Sequence, residues 1–276
     1  MSVEQLLPPD EPTRPGQPIA LTIAGSDSGG GAGIQADLKT FQAFGVYGTN
    51  AVTAVTAQNT LALHSIHAVP LQDVRAQIDA VVTDLRPQAL KTGMLATTAL
   101  VNEVADAIEA HALDRYVLDP VMVATSGARL LDAGAAASLL TRLLPLATLI
   151  TPNLHEAAVL VGQPVETVAH MSEAARRLVD LGAGAALIKG GHLAGDAVDV
   201  LWDGDEEHVW RRPRMDTAHT HGTGCTLSAA ATAGLALGES VHDAVARAIR
   251  FVVRAIESAP GLGGGHGPLN HSVSSE

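Results

Sequence analysis

The chain has 276 residues, of which 47% are hydrophobic and 17% charged. That balance excludes a disordered acidic chain, and 27 glycines without a three-residue period exclude a collagen-like one. The net charge of −12 comes with no basic patch for nucleic acid, and no run of about eighteen apolar residues offers a membrane span.

With aromatics at 3%, the core is expected to be built from Ala, Val, Leu and Ile. The lone cysteine, Cys225, allows no intrachain disulfide, and no basic-then-apolar leader is visible, so the expected location is the cytoplasm.

Residues 1–17 carry four prolines and little periodicity, and are expected to be a mobile tail. A single domain is expected over 18–271, with a short C-terminal tail over 272–276. Within it, Ile19–Ala24 reads as a buried strand ending in Gly25, followed by a helix over Gly33–Phe44. A β-branched run covers Ala51–Ala57, a helix Leu71–Asp84 and a strand Ala89–Lys91. Then come helix Ala99–His111, strand Tyr116–Leu118, helix Ala133–Leu144 and strand Ala147–Ile150. Helices over Leu154–Val161 and Ser172–Leu181 precede the strand Ala185–Lys189. Val198–Trp202 and His208–Arg211 form a hairpin around Asp203-Gly204, and helices over Cys225–Leu237 and Val241–Ser258 close the chain. This alternation predicts an α/β fold, a mostly parallel sheet with helices on both faces, and ligands beyond the carboxyl ends of its strands.

Three sets of residues at such ends carry chemistry. Ala24-Gly25-Ser26-Asp27-Ser28-Gly29-Gly30-Gly31-Ala32-Gly33 joins a strand to a helix, and its glycines let backbone approach a ligand. The dinucleotide fingerprint is incomplete here, and the Gly-Lys-Ser/Thr phosphate loop is absent. His219-Thr220-His221-Gly222-Thr223-Gly224-Cys225-Thr226 opens an Ala-rich helix whose bare N-terminus suits a developing phosphoryl charge. At that position the Cys225 thiol is expected to have a lowered pKa.

The third set is Asp119-Pro120-Val121-Met122, Asn153-Leu154-His155-Glu156 and Lys189-Gly190-Gly191-His192, together with Gln58-Asn59 and Lys91-Thr92-Gly93-Met94. Asn153 and Glu156 share one side of a first helical turn, where they can hold a hydrated Mg2+ or simply start the helix. A Gln amide offers an acceptor and two donors to a heterocycle edge. The histidines show no spacing typical of a metal site.

Taken in order, these segments resemble the hydroxymethylpyrimidine/phosphomethylpyrimidine kinases of thiamine biosynthesis, in the ribokinase-like superfamily. The resemblance runs from about Ala20 to His271 and includes Thr151-Pro-Asn-Leu-His-Glu-Ala157 and His221-Gly-Thr-Gly-Cys-Thr-Leu-Ser228. It implies a three-layer α/β/α fold, ATP and Mg2+ as cofactors, a small pyrimidine substrate and a homodimer. It also implies roles by position. Gln58 would bind the pyrimidine, with Gly25, Ala32, Asp37, Met94 and Val121 lining the pocket. Gly222, Thr223, Gly224 and Cys225 would form the anion hole, Cys225 serving as base. Lys189, Asn153, Asp119 and Thr220 would serve the nucleotide, with Asp119 and Glu156 on Mg2+ through water. Gly261–Pro268 resembles the family's late loop near the nucleotide. A pyridoxal or pyridoxine kinase of the same branch and a non-catalytic pyrimidine-binding regulator are the rival readings.

Overall fold

The computed structural model describes residues 16–122, 132, 134–191, 193 and 195–276. Most of the expected N-terminal tail, the first residue of the helix expected at Ala133, and His192 therefore lie outside the described residues.

Among the described residues one sheet has nine strands: β1 (Ile19–Asp27), β2 (Tyr47–Gln58), β3 (Leu63–Ala68), β4 (Ala89–Thr92), β5 (Tyr116–Leu118), β6 (Leu149–Ile150), β7 (Ala186–Gly190), β8 (Ala197–Trp202) and β9 (Glu207–Arg212). Their order is β3-β2-β1-β4-β5-β6-β7-β8-β9. The pairs from β2 through β1, β4, β5 and β6 to β7 are parallel. β3 and the β8–β9 hairpin add antiparallel edges. Among the described residues the eight α-helices are α1 (Gly33–Ala43), α2 (Leu71–Leu85), α3 (Thr98–Ala110), α4 (Ala135–Ser138), α5 (Leu154–Val161), α6 (Val168–Asp180), α7 (Thr223–Ala236) and α8 (Val241–Glu257).

Strand alternation divides the core. Tyr116 and Leu118 face one side with Leu21, Ile23, Ile188 and Val200, under Val74, Val104, Leu160 and Met171 of α2, α3, α5 and α6. Val117 faces the other side with Ala20, Leu149 and Leu187, under Phe41, Leu227 and Phe251 of α1, α7 and α8. Helix α7 is buried at every position from Thr226 to Ala236, and the small side chains that dominate that stretch, Ser228 to Gly234, let it lie between the sheet and α8. The aliphatic core is as expected, but every Phe is buried too, and Phe44 and Phe251 meet edge to face at 5.1 Å.

Three differences from the sequence reading have local causes. β3 was not expected, because its exposed His64, Ser65 and His67 give an edge strand no apolar pattern. The helix expected over 133–144 is a short α-turn, a π-turn over Leu139–Leu143 and a 3₁₀ turn over Leu144–Leu146, ended by Pro145. Residues 272–276, expected as a tail, lie against α8: Arg247 donates to the Ser275 carbonyl at 2.9 Å, and Val273 packs on the Phe41–Phe251 core.

Candidate active site

The glycine turn after β1 is organised by Asp27. Its carboxylate accepts the N–H groups of Gly29 (2.8 Å), Gly31 (3.0 Å) and Ala32 (2.8 Å), and lies 3.1 Å from His221 Nε2. Burial opposes the charge, but these donors prevail and hold the Asp27 carboxyl below the usual range. The turn's amides are thus occupied from inside, and what it offers a ligand is close backbone. Gly33 sits at φ +55°, where a Cβ would strike the Gly25 carbonyl, and Gly222 at φ +83°, where one would strike the Gly31 carbonyl. The two glycine-rich segments therefore pack backbone on backbone, which no other residue permits.

Helix α7 begins there with no side-chain cap. The Gly224 and Cys225 N–H groups bond to nothing among the described residues, leaving donors and a helix dipole aimed outward. Thr223 is folded back, both its N–H (3.2 Å) and its hydroxyl (2.7 Å) donating to the Thr220 carbonyl. Thr220 itself is exposed. The expectation for Cys225 is corrected. Burial pushes the thiol up to about 12, and the opposing pull of the Lys91 ammonium and the Gly33 N–H does not offset it.

Lys189, the penultimate residue of β7, has its Nζ 3.1 Å from Asp119 Oδ1 and 3.2 Å from the point a Cβ on Gly224 would occupy, directly over the first turn of α7. Burial works against its charge, but Asp119 and Glu156 hold the ammonium above the usual lysine range. Asp119, 2% exposed, also accepts from the Ser228 hydroxyl at 3.1 Å. Asn153 and Glu156 cap α5 reciprocally, each side chain accepting the other's N–H at 2.9 Å. Burial pushes the Glu156 carboxyl up to about 7 against the pull of Lys189.

Among the described residues no three His, Cys, Asp or Glu side chains group as a metal site. Asp119 and Glu156, two buried carboxylates around one ammonium, fit a hard cation that arrives with phosphate oxygens rather than a resident ion.

On the other side of α7's N-terminus, Gln58 Nε2 lies 3.0 Å from His221 Nε2. The Gln58 backbone is fixed by Ser28, whose hydroxyl donates to its carbonyl (2.7 Å) and accepts its N–H (2.8 Å). Met94 reaches to 2.5 Å from where a Gly25 Cβ would sit, so Gly25 makes room for it. Ala32 is half-buried beside this group, and Val121 is half-buried after Asp119. Asp37 does not line the pocket. It is 0% exposed, 2.9 Å from Lys91 Nζ through both oxygens, and accepts from Thr22 at 2.6 Å. The late loop lies on this side as well: the His266 N–H donates to the Thr60 carbonyl at 2.9 Å, and Gly267 accepts from the His221 N–H at 3.1 Å.

The sequence reading did not assign Asp27, His221 or Lys91 to the site. The signal for Asp27 was an acid just before a run of glycine amides that need an acceptor. A groove of about 690 Å3 at Arg86, His111 and Arg115 opens at the opposite, amino-terminal end of β4 and β5. Strand polarity, not groove size, locates the site.

Known proteins share this fold. A Bacillus subtilis pyridoxal kinase in an ADP complex superposes with a TM-score of 0.87 at 42% identity, covering 93% of this chain and 98% of that one. A phosphomethylpyrimidine kinase from Clostridium difficile 630 superposes at 0.79 with 40% identity, covering 87% and 100%. The fold is that of the ribokinase-like kinases, and the chain is a kinase. Within that class it belongs to the phosphomethylpyrimidine kinase family, whose model matches residues 27–270. A hydroxymethylpyrimidine/phosphomethylpyrimidine kinase of Bacillus subtilis is 50% identical over 254 residues, 91% of this chain and 94% of that relative. One from Streptomyces coelicolor is 51% identical over 263 residues, 95% and 97%.

Proposed function

We propose that the protein moves the γ-phosphoryl of ATP to the hydroxymethyl oxygen of 4-amino-5-hydroxymethyl-2-methylpyrimidine, and a second phosphoryl to the resulting monophosphate, as a homodimer in the cytoplasm. The observation that carries this reading is the uncapped N-terminus of α7, with Lys189 over its first turn and Gln58 beyond His221. Phosphoryl transfer needs alignment and charge stabilisation more than covalent chemistry, and a bare helix end with an ammonium supplies both.

In this reading Gln58 pairs with the pyrimidine edge while Gly25, Ala32, Met94 and Val121 shape the ring pocket. The acceptor oxygen then faces the amides of Gly224 and Cys225. As it bonds to phosphorus, the bond to the ADP oxygen breaks, and the hydroxyl proton passes to Cys225 Sγ in molecules whose thiol has first given its own proton to solvent. With the thiol pushed up to about 12 that population is small at neutral pH, which suits a loose transition state in which the proton leaves late. Lys189 neutralises the transferring phosphoryl, with Thr220 and Asn153 on the nucleotide side. Asp119 and Glu156 would hold Mg2+ through water, and Mg2+ would supply charge neutralisation on the phosphates.

The test is ADP release from ATP and Mg2+ with hydroxymethylpyrimidine, its monophosphate and pyridoxal offered separately. Turnover on both pyrimidines is expected. Turnover on pyridoxal alone, the substrate named for several structural neighbours, would replace the acceptor. Turnover on none would favour a regulator.

A further inference from the structure

His221 stands between Asp27, which holds the glycine turn, and Gln58, proposed for the substrate. Its Nε2 lies 3.1 Å from Asp27 Oδ2 and 3.0 Å from Gln58 Nε2. The ring has little freedom. It is 8% exposed, a Cβ on Gly31 would come within 2.7 Å of its Cδ2, and the residue's own N–H donates to the Gly267 carbonyl at 3.1 Å. A ring nitrogen carries either one proton or one lone pair in its plane, so it cannot suit both neighbours as they stand. With a lone pair it would accept from the Gln58 amide but face the Asp27 carboxylate, an acceptor against an acceptor. The other partners of that carboxylate among the described residues are the N–H groups of Gly29, Gly31 and Ala32, as befits an ionised group. With a proton, His221 donates to Asp27 and meets a second donor in the Gln58 NH2. A lone pair against a buried charge is the costlier mismatch, and Asp27, 4% exposed, cannot turn to water. The Gln58 amide yields instead, because a half-turn exchanges Oε1 and Nε2 without changing its shape. Oε1 then takes a second branch of the Nε2 proton.

The geometry points to His221 as a specificity-determining positioning residue: with its Nε2 proton held by Asp27, it fixes the Gln58 amide with Oε1 toward itself and the NH2 away from it. A free Gln amide reads an amino group beside a bare ring nitrogen or, after a half-turn, a carbonyl beside a ring N–H. A fixed amide reads one order only, acceptor on the His221 side and donor beyond. An exocyclic amino group beside a bare ring nitrogen meets that order. The 4-amino pyrimidine has such an edge, and its 4-oxo counterpart presents the reverse. The selectivity rests on Gln58 binding the pyrimidine edge, whereas the place of the His221 proton does not.

The test compares kcat/KM for 4-amino-5-hydroxymethyl-2-methylpyrimidine and for its 4-oxo counterpart at saturating ATP, on the full chain. The parent should favour the amino compound by at least about 10²-fold, since the reversed edge leaves polar groups unpaired. His221→Phe keeps a ring and removes the proton, and His221→Leu is measured beside it. Asp27 retains its three N–H donors in both, so both should melt cooperatively. The preference should fall by about tenfold, the worth of one hydrogen bond, with the KM for ATP near the parental value. In parent protein labelled with 15N-histidine, the His221 signal, identified by its loss in the variants, should report a protonated Nε2. Folded His221 variants with the parental preference, or a bare Nε2 in the parent, would overturn the inference and leave the proposed function standing. Gln58→Ala is the control. If it kept the parental kcat/KM for the amino compound, the assignment of Gln58 to the substrate would fall, and the selectivity argued from it as well.

Discussion

Lys189 and Asp119 face each other across the carboxyl ends of β7 and β5, with Nζ and Oδ1 3.1 Å apart. The cation proposed for the phosphates and a carboxylate proposed for the metal are thus paired with each other before nucleotide binds. Asp119 and Glu156 hold the Lys189 ammonium above the usual lysine range, so the cation does not have to be formed when ATP arrives. Helix α7 supplies the third partner, since Ser228 donates to the second Asp119 oxygen.

Replacing Lys189 by Ala should lower kcat at saturating ATP by about 10²–10³-fold, the cost of losing one preorganised group on the transferring charge. It should also lower stability by about 1–3 kcal/mol, because Asp119 keeps its burial and loses its ammonium. Cys225→Ala should cost less in kcat, because its thiol is mostly protonated in the free protein. Steady-state rates at saturating substrates decide this, and full turnover by Lys189→Ala would remove Lys189 from the chemistry.

Gln58→Ala should weaken use of the pyrimidine and spare the nucleotide. Losing two hydrogen bonds to a heterocycle edge costs about 1–3 kcal/mol, a drop of roughly 5- to 150-fold in kcat/KM for the acceptor. The KM for ATP should stay near the parental value. An equal rise in both KM values would mean that the substitution disturbs the His221 side of α7 rather than the pocket.

Gly222→Ala and Gly45→Ala form a controlled pair. Both residues have positive φ, +83° and +72°, but a Cβ at 222 meets the Gly31 carbonyl while one at 45 meets nothing within 4 Å. Gly45→Ala should cost about 1–2 kcal/mol in stability and nothing in activity. Gly222→Ala should cost more and also reduce kcat, because the glycine turn must move off α7. Matched melting temperatures and rates for the two variants would contradict the close packing.

His271 gives a pH dependence with a definite sign. It is 8% exposed, its Nε2 lies 2.9 Å from the Thr226 hydroxyl, and burial, aided by Lys39, pushes its pKa down to about 4. The unfolded chain, with an ordinary value near 6.5, therefore binds more protons between about pH 4 and 6.5. Stability from the neutral ring is complete above that window and is lost as pH falls through it. At pH 5 the loss should be about 2 kcal/mol relative to pH 7.5. His271→Gln should remove most of that difference. Thermal melts at the two pH values measure it, and an unaltered difference in the variant would shift the cause to other groups.

Much of the fold was legible because its signals are local. Tyr116–Leu118 and Leu154–Val161 stand at the predicted bounds, since an apolar run and an Asn-to-Glu capping pair each act within a few residues. β3 was not legible, because edge pairing to β2 leaves its side chains in solvent. The Gln58, Met94, Lys189 and Asp119 positions were legible as strand ends. Asp37 was misplaced, because a helix position next to a glycine turn looks alike whether its carboxylate faces the ligand or the sheet.

The sequence alone determined the order of strands and helices apart from β3, the carboxyl-end location of the chemistry and the family. Each depends on periodicity or on a contiguous motif. Only the tertiary structure decided which groups neutralise which. Asp27 satisfies the glycine turn from within, Asp37 pairs with Lys91 from 54 positions away, and Lys189 pairs with Asp119 from 70 positions away. It also decided the state of Cys225, whose thiol was expected to be lowered by a helix end and is raised by burial. The physical reason is that desolvation and charge pairing depend on everything packed around a group, which is set by distant segments meeting in space rather than by neighbours along the chain.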